Sequence, residues 1–290
     1  MIPGQFDYVR PASLDEALRI LKDREGEAKI LSGGYSLIPL LKLRLAQPAL
    51  LVDIQAVTGL DGIIRTDDDW RIGGRTTHRA LLEHEGLTTE HPVIRDAAGG
   101  IGDQQVRNWG TIGGSVAHAD PGSDWPAVLL ALRGTVVVRS QDGERVLPAR
   151  GFFVDTFQTG IEPTEVLTEV RVPHAAPRTG SAYVKLERRA GDFATVGVAA
   201  TITLAADGTI ASAGLALTAV NDAPFAASDA EAALAGRTPD DDAFATAAGA
   251  AAGQAKPVSD SHGPADYKAA MVREITARAL RQAAARATGA

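Results

Sequence analysis

The chain of 290 residues contains no cysteine. That absence excludes disulfides, thiolate catalysis, thiolate zinc sites and cysteine-ligated iron–sulfur clusters within it. Any iron–sulfur centre it works with must sit on another subunit. Aromatic residues are scarce at 5 %, and much of the 45 % apolar content is alanine. There is no basic excess: the net charge of −7 argues against a non-specific nucleic-acid binder, which needs a basic face. No uncharged run reaches the ~18–20 apolar residues of a membrane span. The apolar stretch over residues 31–54 carries Lys42, Arg44 and Asp53. The N-terminus, Met1-Ile2-Pro3-Gly4-Gln5-Phe6-Asp7, has no basic region followed by an apolar one, so no signal peptide is expected. The expected location is the cytoplasm, with inner-membrane contact only through a larger complex.

Several chemical signatures are missing too. Neither G-x-G-x-x-G nor Gly-Lys-Ser/Thr occurs, which disfavours a nicotinamide-type Rossmann site and a P-loop. His78, His84, His91, His118, His174 and His262 form no metal-type pattern such as H-E-x-x-H. No serine–histidine–acid set is evident, so neither a catalytic residue nor a metal ligand is named.

What is present begins with order. Ser13 caps a helix whose apolar face is Ala17, Leu18, Ile20 and Leu21. Lys29-Ile30-Leu31 reads as a strand running into a glycine loop, and residues 36–45 as a helix ended by Gln47-Pro48. Residues 50–54 read as another strand, 77–85 and 92–98 as helices, and 99–114 as one long loop rich in glycine. Asp124-Trp125-Pro126 opens a helix, with Asp124 in the capping position. Asp142-Gly143 and Asp207-Gly208 mark hairpins. Pro173 and Pro177, before and within the segment 174–180, suggest a domain boundary there. Beyond it come antiparallel strands and then alanine-rich helices, the longest over 266–287, with Met271, Ile275 and Leu280 facing inward. The fold class is therefore α+β.

Two glycine pairs organise the chain: Ser32-Gly33-Gly34-Tyr35-Ser36 and Thr111-Ile112-Gly113-Gly114-Ser115. Paired glycines let backbone amides approach a diphosphate closely, because no Cβ intervenes. The first pair follows a strand and precedes a helix, the context of phosphate binding at a helix N-terminus. The second lies in a stretch dense in donors, through Asp120-Pro121-Gly122-Ser123-Asp124. Each pair alone could be a tight turn. Together they suggest one long phosphate-bridged ligand held from both sides.

These motifs, with Met1–Tyr8 and Gly263-Pro264-Ala265-Asp266-Tyr267, resemble the FAD-binding medium subunits of molybdenum hydroxylases, the xanthine dehydrogenase and aerobic carbon monoxide dehydrogenase group. The resemblance covers nearly the whole chain and is greatest to the carbon monoxide branch. It implies a two-subdomain FAD-binding domain of the PCMH type, residues 1–55 and 56–173, followed by a C-terminal flavoprotein domain at 177–290. It implies FAD on this chain, with the molybdenum cofactor on a large partner and 2Fe-2S clusters on a small one, in a dimer of heterotrimers. It implies that Lys29, Ile30, Leu31, Ser32, Gly33, Gly34, Tyr35, Ser36 and Leu37 form one cofactor loop, and Thr111, Ile112, Gly113, Gly114 and Ser115 the other. The amides of Gly33, Gly34, Gly113 and Gly114 would be donors to the diphosphate and ribityl chain. Asp124 matches a position that bonds the sugar-alcohol part, Ile101 one that packs near the flavin ring, and Lys185 a lysine near it. Phe193 matches an aromatic covering one flavin face, where the carbon monoxide branch often has tyrosine. Ser32 stands where alanine is usual, Tyr35 where histidine or threonine is common, and Ser115 where asparagine or aspartate is common.

The implied function is electron transfer from 2Fe-2S clusters through FAD to an external acceptor: a quinone, a carrier protein, NAD or oxygen. Purine, heterocycle and aldehyde dehydrogenases remain open as the parent complex. A stand-alone FAD oxidoreductase and a flavin-free assembly module are further readings. The first lacks an acid or base, and the intact glycine loops argue against the second.

Overall fold

A computed structural model describes residues 1–289. The first unit is a small parallel sheet. Strands β1 (Asp7–Val9), β2 (Ala28–Leu31) and β3 (Leu50–Asp53) pair in the order β1-β3-β2. Helix α1 (Leu14–Asp23) starts where Ser13 accepts a hydrogen bond from the Glu16 amide, and it buries Ala17, Leu18 and Leu21. Those side chains meet Val52, Ile54 and Val57 in a separate small core. Helix α2 (Leu37–Leu43) makes the crossover between β2 and β3. It ends at Arg44, whose left-handed φ of 59° turns the chain before the expected stop at Gln47-Pro48.

A second sheet is antiparallel, in the order β4-β5-β10-β6-β7. Its strands are β4 (Ile63–Arg65), β5 (Asp69–Gly73), β6 (Thr135–Ser140), β7 (Gly143–Pro148) and, after the short pair β8 (Phe153–Asp155) and β9 (Gln158–Thr159), β10 (Val166–Pro173). Between β5 and β6 the chain builds α3 (His78–Glu83), α4 (Glu85–Glu90), α5 (Pro92–Gly99), α6 (Gln104–Trp109), α7 (Ile112–His118) and α8 (Asp124–Ala131). Residues 77–85 are thus not one helix. His84 breaks it, and its Nδ1 caps α4 by accepting the Leu87 amide at 3.1 Å.

The expected long loop over 99–114 is also corrected, because α6 and the start of α7 occupy most of it. Asp103 caps α6, accepting the Val106 amide at 2.8 Å. Helix α6 buries no residue, so it has no apolar periodicity to read. Gly113 and Gly114 sit in the first turn of α7, where glycine costs roughly 1 kcal/mol of propensity each. Packing requires the first of them: a Cβ on Gly113 would lie 2.5 Å from the Gly74 carbonyl oxygen.

The third sheet runs β11 (Thr179–Leu186), β12 (Val196–Leu204), β13 (Ile210–Thr218) and β14 (Phe225–Ala226), all antiparallel neighbours. Helices α9 (Ser228–Leu234), α10 (Asp241–Gln254) and α11 (Ala265–Thr288) cover one face. Alternation along β12 sends Val198, Ala200 and Ile202 to that side and Ala199 to the other. On α11, Ile275 and Leu280 are buried as expected, while Met271 is half-buried.

Helix α8 lies between the second and third sheets, and every residue in it is buried. It is apolar all round except at Asp124, as a helix with no solvent face must be. Leu129, 1 % exposed, is expected to be a sensitive point in this core. Leu129→Ala should cost about 3 kcal/mol of unfolding free energy in urea titrations, through lost transfer energy and a cavity.

Candidate functional site

Strand β2 delivers the first glycine loop to the N-terminus of α2. Its residues have divided roles. Ile30 packs toward the small core, Lys29 is exposed, and Leu31 lies against Gly34. Gly34 has φ +83°, a conformation that L side chains rarely adopt. The consequence is a run of backbone donors with nothing to donate to. The amides of Gly33, Gly34, Tyr35 and Ser36 find no protein acceptor among the described residues. Successive unpartnered amides around a left-handed residue form an anion-binding concavity. Tyr35 and Ser36 are exposed, and Leu37 opens α2 half-buried.

The two glycine loops touch. Ser32 Oγ and Thr111 Oγ1 are 3.1 Å apart. Gly33 is pressed so closely on the end of α6 that a Cβ there would lie 2.2 Å from the Trp109 carbonyl oxygen. Gly33 is therefore needed to bring the loops together.

The second loop differs from the expectation. Its amides are already spent: Ile112 on Thr76 O (3.0 Å), Gly113 on Gly74 O (2.9 Å), Gly114 on Thr111 Oγ1 (3.1 Å) and Ser115 on Thr111 O (3.0 Å). The Gly113 and Gly114 amides are thus not free donors, because an α-helix cap and the turn after β5 consume them. Ile112 is a core residue at 1 % exposure. Ser115 Oγ pairs with Ser123 Oγ at 2.6 Å. Only the Thr111 amide in this loop has no protein acceptor among the described residues. His118 stacks obliquely on Phe157, and burial lowers its pKa.

Asp124 is also corrected. Ser123 occupies the cap position of α8, and Asp124 is the first helical residue. Its carboxylate accepts from the Tyr183 hydroxyl (2.5 Å) and from Lys185 Nζ (3.3 Å). Burial pushes the Asp124 pKa up to about 6, with Lys185 and Tyr183 opposing the shift. The same burial, and the carboxylate beside it, raise the Tyr183 phenol well above its usual value. Lys185 is not a solvated strand lysine. Its side chain is 6 % exposed, and Nζ donates to Gly100 O (2.6 Å) and Asp192 O (3.0 Å) besides Asp124. Ile101 follows Gly100 and packs on the main core, while Phe193 follows Asp192 and is 54 % exposed.

The structure therefore joins Asp124, Lys185, Ile101 and Phe193 in one network, and joins the first loop to Thr111. Sequence reasoning missed Tyr183 and Glu187, although strand alternation places 183 and 185 on one face of β11 and Glu187 follows its last residue. It missed Arg107, whose Nη1 donates to the carbonyls of Ile101 (2.9 Å) and Gly102 (3.0 Å). It also missed His78, which accepts from Trp125 Nε1 at 3.0 Å and whose burial lowers its pKa to about 4. No local pattern marks these two. An open polar cleft of about 600 Å³ lies elsewhere, between α1 and the second sheet. Its Arg71 and Arg171 are paired with Asp69 and Glu169.

The raised pKa of Asp124 has a testable sign. Between about pH 4 and 6 the folded chain keeps a proton that the unfolded chain releases, so this group's contribution to stability falls as pH rises through that window. Asp124→Asn removes the dependence. The variant should gain on the parent by about 3 kcal/mol from pH 4 to above pH 6, measured by urea unfolding across pH.

Comparison with known proteins shows the family. Residues 4–175 match the family described as FAD binding domain in molybdopterin dehydrogenase, and residues 181–283 match the CO dehydrogenase flavoprotein C-terminal domain. The chain is 40 % identical over 286 residues to the carbon monoxide dehydrogenase medium chain of Hydrogenophaga pseudoflava, covering 99 % of each. It is 39 % identical to subunit alpha of the 6-hydroxypseudooxynicotine dehydrogenase complex of Paenarthrobacter nicotinovorans, covering 99 % of this chain and 97 % of that one. Its structure matches a chain of reconstituted CO dehydrogenase from Oligotropha carboxidovorans with a TM-score of 0.96 at 39 % identity, covering 99 % and 100 % of the two chains. A cysteine-free chain with an unpartnered amide cradle, matched by both domain families across its length, belongs to the FAD-binding medium chains of the molybdopterin dehydrogenases.

Proposed function

We propose that this chain is the electron-transfer subunit of a three-chain molybdenum dehydrogenase whose substrate is carbon monoxide. When bound, FAD supplies one- and two-electron redox chemistry, so that electrons arriving from 2Fe-2S clusters can leave to an external acceptor. This chain's residues bind, orient and shield. The amides of Gly33, Gly34, Tyr35 and Ser36 fit the diphosphate, and that row of unpartnered donors carries the reading. Thr111 adds its amide, and Ser36 its exposed hydroxyl, at the mouth of the cradle. Ile112, Gly113, Gly114 and Ser115 support the cradle by packing rather than by donating amides. An ionised Asp124 accepts from the sugar-alcohol chain. Ile101 and Phe193 flank the flavin ring, and Phe193 shields it without offering a hydroxyl. Lys185 would set its ammonium near the flavin, with Asp124 and Glu187 beside it as counter-charges.

The partners proposed are a large molybdenum-binding chain and a small 2Fe-2S chain, assembled as a dimer of heterotrimers in the cytoplasm. With no cysteine, this chain cannot itself ligate such clusters through thiolates. No helix among the described residues is long and apolar enough to cross a membrane. The acceptor proposed is a quinone, a carrier protein or oxygen. We further propose the division into 1–55, 56–173 and 177–290, with residues 174–176 as the joint.

One observation favours a second reading of the substrate. The identity to the 6-hydroxypseudooxynicotine dehydrogenase subunit, at 39 %, is nearly that to the carbon monoxide dehydrogenase chain, at 40 %. A medium chain touches no substrate in this reading, so a complex oxidising a larger organic molecule would make the same demands on it. Purifying the chain with its partners tests both levels. One FAD per chain is expected, with dye reduction by carbon monoxide. An assembled complex lacking flavin absorbance would overturn the FAD reading, and oxidation of an N-heterocycle without carbon monoxide turnover would select the second substrate.

The cradle has its own test. Gly33→Ala places a methyl group into the Trp109 carbonyl and must spread the loops. FAD affinity is expected to fall at least tenfold, measured by fluorescence titration of the apo chain. Undiminished affinity would remove Gly33 from the site.

A further inference from the structure

An ammonium group has three N–H donors and no acceptor. Lys185 has three acceptors within the protein, one for each of them. Gly100 O is at 2.6 Å, Asp192 O at 3.0 Å and Asp124 Oδ2 at 3.3 Å, while Glu187 Oε2, also at 3.3 Å, makes an ion pair but accepts no hydrogen bond. The two shortest contacts are to backbone carbonyls, and Asp124 takes the remaining proton. At 6 % exposure the side chain has no room for a solvent partner. No proton is left for a ligand atom.

The two carbonyls belong to separate turns. Gly100 ends α5 and precedes Ile101. Asp192 lies in the turn between β11 and β12 and precedes Phe193. These turns also press together: Gly191, at φ +82°, lies so close that a Cβ would be 2.4 Å from the Gly102 carbonyl oxygen. Arg107 fastens the first turn from below through the Ile101 and Gly102 carbonyls. Among the described residues, the second turn has no comparable side-chain clamp onto the first except Lys185.

We propose that Lys185 is a positioning residue, a tie between the turn carrying Ile101 and the turn carrying Phe193, which sets the spacing of the two side chains assigned to the flavin ring. This rests on the FAD reading for its purpose but not for its geometry. The resemblance assigns the lysine by its nearness to the flavin; the hydrogen bonds add a task that charge alone cannot perform. A guanidinium is planar and cannot reproduce three tetrahedral donors on a four-carbon stem. Lysine-to-arginine therefore separates tie from charge.

Hydrogen–deuterium exchange on the FAD-free chain reads the tie directly. The Gly100 amide bonds to Ala97 O at 3.1 Å and the Asp192 amide to Arg189 O at 3.0 Å, so both report on their turns. Lys185→Met combined with Asp124→Asn is expected to speed exchange in 99–103 and 189–194 at least tenfold over Asp124→Asn alone. Lys185→Arg should loosen the same turns and, in the FAD-loaded chain, change the visible circular dichroism of the flavin. Gly191→Ala should loosen them with the lysine intact, and it serves if the double variant does not fold. Unchanged exchange in both turns, or a Lys185→Arg chain identical to the parent in exchange and dichroism, would overturn the tie. A parent chain that takes up no FAD would sink the flavin reading while leaving the exchange result standing.

Discussion

A helix with no solvent face constrains everything around it. Helix α8 is buried between two sheets, and the only charged group on it, Asp124, lies at its N-terminal end. A carboxylate there must be neutralised or partnered. The third sheet supplies both partners from one face of β11, the Tyr183 hydroxyl and the Lys185 ammonium. Satisfying this one buried group thus fastens the C-terminal sheet to the FAD-binding region. It also brings the Gly100 and Asp192 turns to the same ammonium.

The two glycine pairs follow a parallel logic with unequal outcomes. In the first, β2 ends and α2 begins with four amides left unpartnered. In the second, the turn after β5 and the cap on Thr111 absorb the amides, and Gly113 serves the packing of α7 on Gly74. One loop is a cradle and the other is its backstop. The two loops meet through Ser32 and Thr111, and through Gly33 against the Trp109 carbonyl.

Much of the architecture was legible because its causes are local. Ser13 caps α1, Asp142-Gly143 turns the hairpin of β6 and β7, and Asp207-Gly208 that of β12 and β13. The misreadings share another cause. Helix α6 buries nothing, α7 opens with two glycines, and α4 is capped by a histidine ring. Each is held by a contact from a distant segment or by an unusual cap, so no apolar period announces it.

The sequence alone determined the absence of thiol chemistry, the α+β order of elements and, through the glycine motifs and their flanks, the FAD-binding family. Composition and short-range pattern suffice for the first two, since each depends on residue type or on neighbours a few positions away; the family rests on the resemblance those motifs carry along the chain. Only the tertiary structure decided which amides are free, that Asp124 is a buried partner of Tyr183 and Lys185 rather than a helix cap, and that Lys185 spends its protons on the protein. Those outcomes depend on competition among acceptors from segments such as 100, 124 and 192, and hydrogen-bond competition is settled by proximity in space.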